Sequence, residues 1–434
     1  MCAAASSSSL CPLKPVTQMT GYDPVVWLTQ EKAMNPASIM RMRLLDRTNL
    51  NERYQHSVLI SALRSMAALQ VVAAHLRREL FPSLKAVADP SLWYQGLAFL
   101  TGFSHIAVVI FFLLSGWLVG GSLLNKLGEP HCMLSYAIDR ITRMWIVLVP
   151  AFVLTLAIGT IMQTVDPGRV SYAPDNEYSW STFWGNLFGL QGMAVPRFGG
   201  NFSLWSLSNE MWYYALFPLL LLPVIAQRGS IKVAGLAACA LIGYQLLFDL
   251  MLYFLIWLLG VLFSRIRIEA SRAARLVLII VIVALAVHYR LNGSIGTLVA
   301  ATFAEDLLFS VLFLCLLSSL QFPANRAGIG NRLASLAGLL APFSFTLYVI
   351  HYPLIYLAKF LHDPIGSAEL STADPASLLT YSAVFTAIVV FAYLFHLPFE
   401  AHTYRLRRFV KRLLLAPASV PEHFEGTPAA RRRP

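Results

Sequence analysis

The chain has 434 residues, of which 57% are hydrophobic and only 13% charged, and its formal net charge is +11. So much apolar side chain over that length excludes a soluble globular domain and requires a multi-pass helical membrane protein. The positive charge does not point to nucleic acid, because the basic residues fall between apolar runs rather than on one domain face, as the positive-inside rule expects.

Residues 1–56 are polar, Ser-rich at the start and basic. They lack the short apolar core of a cleavable signal and read as a cytoplasmic tail. Apolar stretches then fall near 57–76, 97–119, 145–163, 203–225, 232–248, 250–264, 274–290, 297–320, 337–358 and 377–398. The predicted fold is therefore all-α, with about ten transmembrane helices and both termini on one side. Placing that side in the cytoplasm gives the inner tails and loops most of the 33 Lys and Arg residues. The resulting organisation is a tail at 1–56, a transmembrane domain at 57–400 and a basic cytoplasmic tail at 401–434, in a cell (inner) membrane. Around Asp249 the stretch 232–264 is short for two spans, but Arg265-Ile-Arg267 and the run Arg405 to Arg412 argue for two. The outer segment Thr164 to Asn201, with Tyr172, Tyr178, Trp180, Trp184 and Gly199-Gly200, reads as a folded loop. Cys2, Cys11, Cys132, Cys239 and Cys315 are scattered, with no CxxC or metal-ligand spacing, so neither disulfides nor a metal is expected.

Ser57 to Leu76 is long enough to cross a bilayer yet carries Arg64 and His75. Eleven residues on a helix give a rise of about 16 Å and a rotation about 20° from three whole turns, so both side chains share a face. A charge at mid-helix costs about 3 kcal/mol on insertion scales and is usually turned toward a partner or a wet cavity. The alternative is that Arg64 snorkels to one surface and His75 sits in the headgroups of the other. By depth, His75, Glu210, His351, His105 and Glu305-Asp306 all belong to the outer half, whereas Arg64 lies in the inner half. The loop CMLSYAIDRITRMW brings Arg140 and Arg143 to the inner surface one helical turn apart.

Five segments in order resemble the acyltransferase-3 family of integral membrane O-acyltransferases: LRSMAALQVVAAH (63–75), VIFFLLSGWLVGG (109–121), the Arg140-x-x-Arg143 pair, LWSLSNEMWYYALFPLL (204–220) and FSFTLYVIHYPLI (343–355). The resemblance covers about 57–400, departs from the usual pattern at Ser65 and Asn209, and does not extend to the fused esterase-like domain that some members carry. It implies transfer of an acyl group from a cytoplasmic acyl-CoA, with acetyl-CoA the expected donor, to a hydroxyl of a sugar, glycan or small molecule, as in O-acetylation of polysaccharides. It also matches Arg64 and His75 to the family's basic-x10-His pair and Arg140 and Arg143 to its Arg pair.

The residue chemistry is consistent with this. A hydroxyl attacking a thioester must lose a proton, and His is the side chain whose ordinary pKa lies near neutrality, so His75 is the expected general base. Glu210 is a candidate to orient it and His351 a second base or a structural residue; alternatively Glu210 is a buried carboxylate capped by the Ser206 and Ser208 hydroxyls. Arg140 and Arg143 offer forks that fit the phosphates of a CoA donor. Ser115-Gly116 reads as a site of close helix packing, since no G-x-S-x-G turn surrounds it. No bound cofactor is expected. A proton-coupled transporter or exporter would also carry Arg, Glu and His in its spans, but two matching halves with broken helices are not evident.

Overall fold

A computed structural model describes residues 40–51, 54–165, 177–292, 298–323, 338–362 and 369–415. Nearly all of these are helical, since apolar segments with no water to serve their backbone must close their N–H and C=O groups internally. In chain order the helices are α1 (Gln55–Leu80), α2 (Leu92–Leu100), α3 (Ser104–Ser115), α4 (Gly121–Asn125), α5 (Cys132–Val165), α6 (Trp180–Leu187) and α7 (Leu204–Ile225). They continue with α8 (Gly229–Gln245), α9 (Phe248–Phe263), α10 (Arg272–Asn292), α11 (Phe303–Ser319), α12 (Ser344–His362), α13 (Ala376–His396) and α14 (Thr403–Leu415). Two short strands, β1 (Met40–Leu44) and β2 (Ile266–Ala270), pair antiparallel with Met40 opposite Ala270.

The all-α polytopic class holds, but the number of spans differs. Among the described residues, 7 helical stretches are long and apolar enough to cross a membrane: Gln55–Ala86, Leu92–Asn125, Cys132–Met162, Arg272–Asn292, Ala300–Ser319, Gly338–His362 and Ala376–Leu415. Three predicted spans fall short, for two reasons. Helix α7 has 22 residues but begins with Ser206, Ser208, Asn209 and Glu210. Helices α8 and α9 have 17 and 16 residues, below the about 20 that a bilayer core of roughly 30 Å asks for. The chain does divide at Leu246–Leu247, so 232–264 is two helices as the flanking basic runs imply.

Other boundaries move for local reasons. The predicted loop CMLSYAIDRITRMW forms the first turns of α5, because it holds neither Gly nor Pro and its long straight side chains favour helix. Residues assigned to the C-terminal tail fold as α14, which packs on α5. In the segment 164–201, α6 and the bridge Glu177 to Phe198 give a folded loop within the described residues; Tyr172 lies outside them, as do 1–39 and 416–434, where both termini fall. Cys132, Cys239 and Cys315 are free thiols, and Cys2 and Cys11 are outside the described residues.

Helix α1 packs against both α3 and α12, and α3 packs against α9. One apolar core, with Trp117, Tyr213 and Trp257, joins α3, α7 and α9. A second, with Val72, Val147 and Val349, joins α1, α5 and α12. The α3–α9 crossing is close enough that a Cβ on Gly116 would strike the Trp257 carbonyl, and one on Gly260 the Leu113 carbonyl. These reciprocal glycines are what small residues at a membrane-helix interface provide. Just beyond Ser115 the helix widens into a π turn at Gly116–Gly120, a form frequent at functional sites. Gly260→Ala is expected to destabilise the detergent-solubilised protein by about 1–3 kcal/mol through overpacking. Gly96, with nothing within 4 Å of its would-be Cβ, is the control. Equal thermal midpoints for Gly260→Ala and Gly96→Ala would contradict the close contact.

Candidate functional site

His75 and His351 meet across the α1–α12 interface. His75 Nδ1 lies 2.9 Å from His351 Nε2, and the rings stack with centroids 5.2 Å apart. His351 Nδ1 is 2.7 Å from the Tyr348 carbonyl one turn earlier. A carbonyl only accepts, so Nδ1 of His351 carries the proton, and with both rings neutral its Nε2 accepts the Nδ1–H of His75. Nε2 of His75 is thereby left as a lone-pair acceptor, and among the described residues no hydrogen bond occupies it. Tyr352 and Phe202 border the His75 ring at centroid distances of 4.7 and 6.1 Å. Phe202 is carried there by the Gly199-Gly200 turn, whose φ values of 58° and 65° suit glycine. The adjoining Asn201 donates to the Val349 carbonyl at 2.8 Å and locks the turn onto α12.

A second polar centre occupies a cavity of about 150 Å³ between α1, α3, α5, α7 and α12. Arg64, Arg140, Arg143 and Glu210 all line it. Arg143 stands 3.7 Å from Glu400, and Glu400 accepts the Thr346 N–H and hydroxyl at 3.0 and 2.7 Å. The Arg140 guanidinium lies over the rings of Tyr136 and Tyr214, 5.9 and 5.8 Å from their centroids. Arg64 makes no hydrogen bond or ion pair among the described residues and projects into the cavity. On the opposite wall the Trp257 indole donates to Ser115 at 3.1 Å. The Ser115 hydroxyl is 3.3 Å from Tyr214, which in turn donates to Glu210. Each donor is used in sequence, so Glu210 is the terminal acceptor of a chain spanning three helices.

Of the sequence-derived candidates, the structure joins His75 with His351, and Arg64 with Arg140, Arg143 and Glu210. Glu210 makes no hydrogen bond to His75; it accepts from Tyr214 instead. Nor do the nearby serines cap Glu210: Ser206 bonds Tyr348, and Ser208 donates to the Gly189 carbonyl at 2.5 Å. Arg64 and His75 stay about three turns apart on one helix face. His105 and Asp306, expected at one depth, are bonded at 2.8 Å away from both centres. Sequence reasoning missed Tyr348 and Glu400. Tyr348 lines the cavity by its side chain and holds His351 by its carbonyl, so it stands between the two centres; its place three residues before His351 was the available signal. Glu400 carried no signal, since its partners lie on α5 and α12.

These features define a helical membrane protein in which a cation-lined cavity reaches toward a buried imidazole pair. A family profile described as an acyltransferase domain matches residues 59–397, and the chain belongs to this acyltransferase-3 family. Its class of chemistry is thus membrane acyl transfer. No curated protein and no solved structure matches it.

Tyr348→Phe removes the hydroxyl bonded to Ser206 but keeps the carbonyl that holds His351. The expected outcome is a stability loss of about 0.5–1.5 kcal/mol by thermal unfolding, with the imidazole pair intact by nitrogen-15 NMR of the histidines. A changed tautomer pattern in that spectrum would contradict the assignment.

Proposed function

We propose that the protein transfers an acyl group, acetyl in the expected case, from an acyl-CoA to a hydroxyl of a sugar, glycan or small molecule. The observation that carries this reading is the tautomer chain Tyr348 carbonyl, His351, His75, which leaves Nε2 of His75 as a proton acceptor. In the proposed reaction the acceptor hydroxyl gives its proton to that nitrogen as its oxygen attacks the thioester carbon. His351 stabilises the resulting imidazolium through the bond between the rings. The tetrahedral intermediate then expels the CoA thiolate, which takes the proton back from His75. The ester, free CoA thiol and neutral His75 are the products.

The three arginines of the cavity support a polyanionic donor approaching from their end, since guanidinium forks match phosphate geometry. Tyr348 and Ser206, on the cavity wall nearest the imidazole pair in their contacts, mark the path for the acyl end. Thr48, just after β1, bonds Asn125, and the next residue, Lys126, shares Asp139 with Arg407 of α14, so the sheet and α14 lie at one end of the bundle together with Arg43, Arg265, Arg267 and Arg407. By the positive-inside rule that end is proposed to be cytoplasmic in an inner membrane, where CoA is made.

Release of CoA thiol from acetyl-CoA in the presence of an acceptor extract tests the activity, and the parent protein is expected to release it. His75→Ala should lower kcat by roughly 10²–10⁴ with CoA binding retained. His351→Phe should lower kcat as well, because His75 then loses the partner that fixes its tautomer. Parent-level esterification by a folded His75→Ala protein would overturn the proposal. A proton-coupled transporter would show pH-dependent uptake and no ester formed by the parent.

Arg140→Ala and Arg143→Ala should each raise the donor KM about tenfold or more, with a smaller change for the acceptor. Arg→Lys should restore only part, because Lys lacks the planar fork. An unchanged donor KM in a folded variant would remove these residues from the donor site.

A further inference from the structure

At the basic end of the bundle a second cavity, of about 520 Å³, opens between the start of α5 and α14. Its wall carries Lys126, Arg407, Arg408, Lys411 and Arg412 around a single carboxylate, Asp139. Asp139 already serves three of these cations: Lys411 at 2.6 Å, Arg407 at 3.3 Å and Lys126 at 3.4 Å. Lys411 also donates to Ser135 at 2.8 Å. Arg408 sits over the Tyr404 ring, 4.9 Å from its centroid, and both residues are exposed. Like charges gathered so closely repel, and one carboxylate among five cations leaves a strong positive potential whose complement is a multivalent anion.

Position says which anion. Asp139 is the residue before Arg140, and Arg143 follows four residues on, a rise of about 6 Å along α5. One helix therefore presents Asp139 to the basic cavity and Arg140 and Arg143 to the cavity below His351. The inner cavity, at about 150 Å³, is smaller than the roughly 300–1,000 Å³ typical of sites for drug-sized ligands. A CoA thioester cannot fit there whole, and its bulky adenosine 3′-phosphate must remain outside while the diphosphate reaches the arginines and the narrow pantetheine arm enters. We propose that the cavity between α5 and α14 binds the adenosine 3′-phosphate end of the donor, with Arg408 and Arg412 on the 3′-phosphate and Tyr404 beside the adenine, while the diphosphate runs on toward Arg140 and Arg143. The assignment rests on the CoA reading of the proposed function and adds a nucleotide site to it. Base–aromatic stacking and charge-assisted phosphate contacts are the interactions such a wall offers.

Phosphate chemistry also occurs in lipid headgroups, and α14 exposes Phe409 and Leu413 as an interfacial helix would. The test separates the two sources. Full-length protein in phosphatidylcholine nanodiscs is titrated with CoA and with 3′-dephospho-CoA, and adenosine 3′,5′-bisphosphate serves as competitor. The parent should bind CoA about tenfold more tightly than 3′-dephospho-CoA, the scale of one charge-assisted contact. The double variant Arg408→Gln, Arg412→Gln should bind the two alike, with its affinity for 3′-dephospho-CoA unchanged. The assignment is overturned if the parent ignores the 3′-phosphate or if the double variant still discriminates. It is overturned equally if phosphatidylglycerol in the nanodisc abolishes the discrimination, which would make the cavity a headgroup site. Acetyl transfer by a parent protein that ignores the 3′-phosphate defeats this assignment alone, whereas absence of any CoA binding defeats the proposed function with it.

Discussion

A polar group inside an apolar helical bundle has to find its partner within the bundle, and the helices of this protein are joined largely by that requirement. His75 to His351 ties α1 to α12. His105 donates to Asp306, which also accepts from Tyr253, and so α3, α9 and α11 are held at one point. Glu400 takes both polar hydrogens of Thr346 beside Arg143, linking the end of α13 to α12 and α5. With lipid as apolar as the core, such bonds and close packing replace the hydrophobic drive that holds soluble bundles together. The same bonds fix side-chain direction, which is why the imidazole pair and the cation cavity are preorganised rather than assembled by a ligand.

The two centres differ in kind. Around His75 the neighbours are rings and backbone carbonyls, an environment that sets a tautomer without bringing in a countercharge. Around Arg64 the neighbours are two more arginines, with Glu210 committed to Tyr214 and Glu400 to Thr346. Cationic charge thus crowds the Arg64 cavity, while beside the imidazole pair stand Arg78, one turn on along α1, and Arg197 over the Phe202 ring. Tyr348 is the residue common to both, through its side chain on one and its carbonyl on the other.

What could be read beforehand follows from what repeats along a chain. Helical periodicity placed Arg64 and His75 on one face and Arg140 and Arg143 one turn apart, and both placements hold in the structure. The all-helical class followed from composition alone. The pairing of His75 was not legible, because His351 is 276 residues away and Glu210 was equally placed by depth. Nor was the continuation of α5 through Asp139: charged residues there look like loop when only hydropathy is weighed, yet the arginines around it are good helix formers and no Gly or Pro interrupts them. Glu400 stood at the edge of the predicted domain, and its meaning comes from partners on other helices.

The small sheet counts membrane crossings. Two strands that share hydrogen bonds lie on the same side of a bilayer, so an even number of crossings separates Leu44 from Ile266. Only three of the long apolar stretches, Gln55–Ala86, Leu92–Asn125 and Cys132–Met162, lie between them. An odd number among α7, α8 and α9 must therefore cross as well, short or polar-ended though they are. The four long stretches that follow β2 return the chain to the side of the sheet. Among the described residues the total is then eight or ten, one or three more than the long apolar stretches alone. Where α9, with 16 residues, is among the helices that cross, the bilayer thins around it or its flanking residues snorkel, since such a helix is about 24 Å long against a core of roughly 30 Å. Local thinning would bring the aqueous face closer to the buried groups than the rest of the bundle allows.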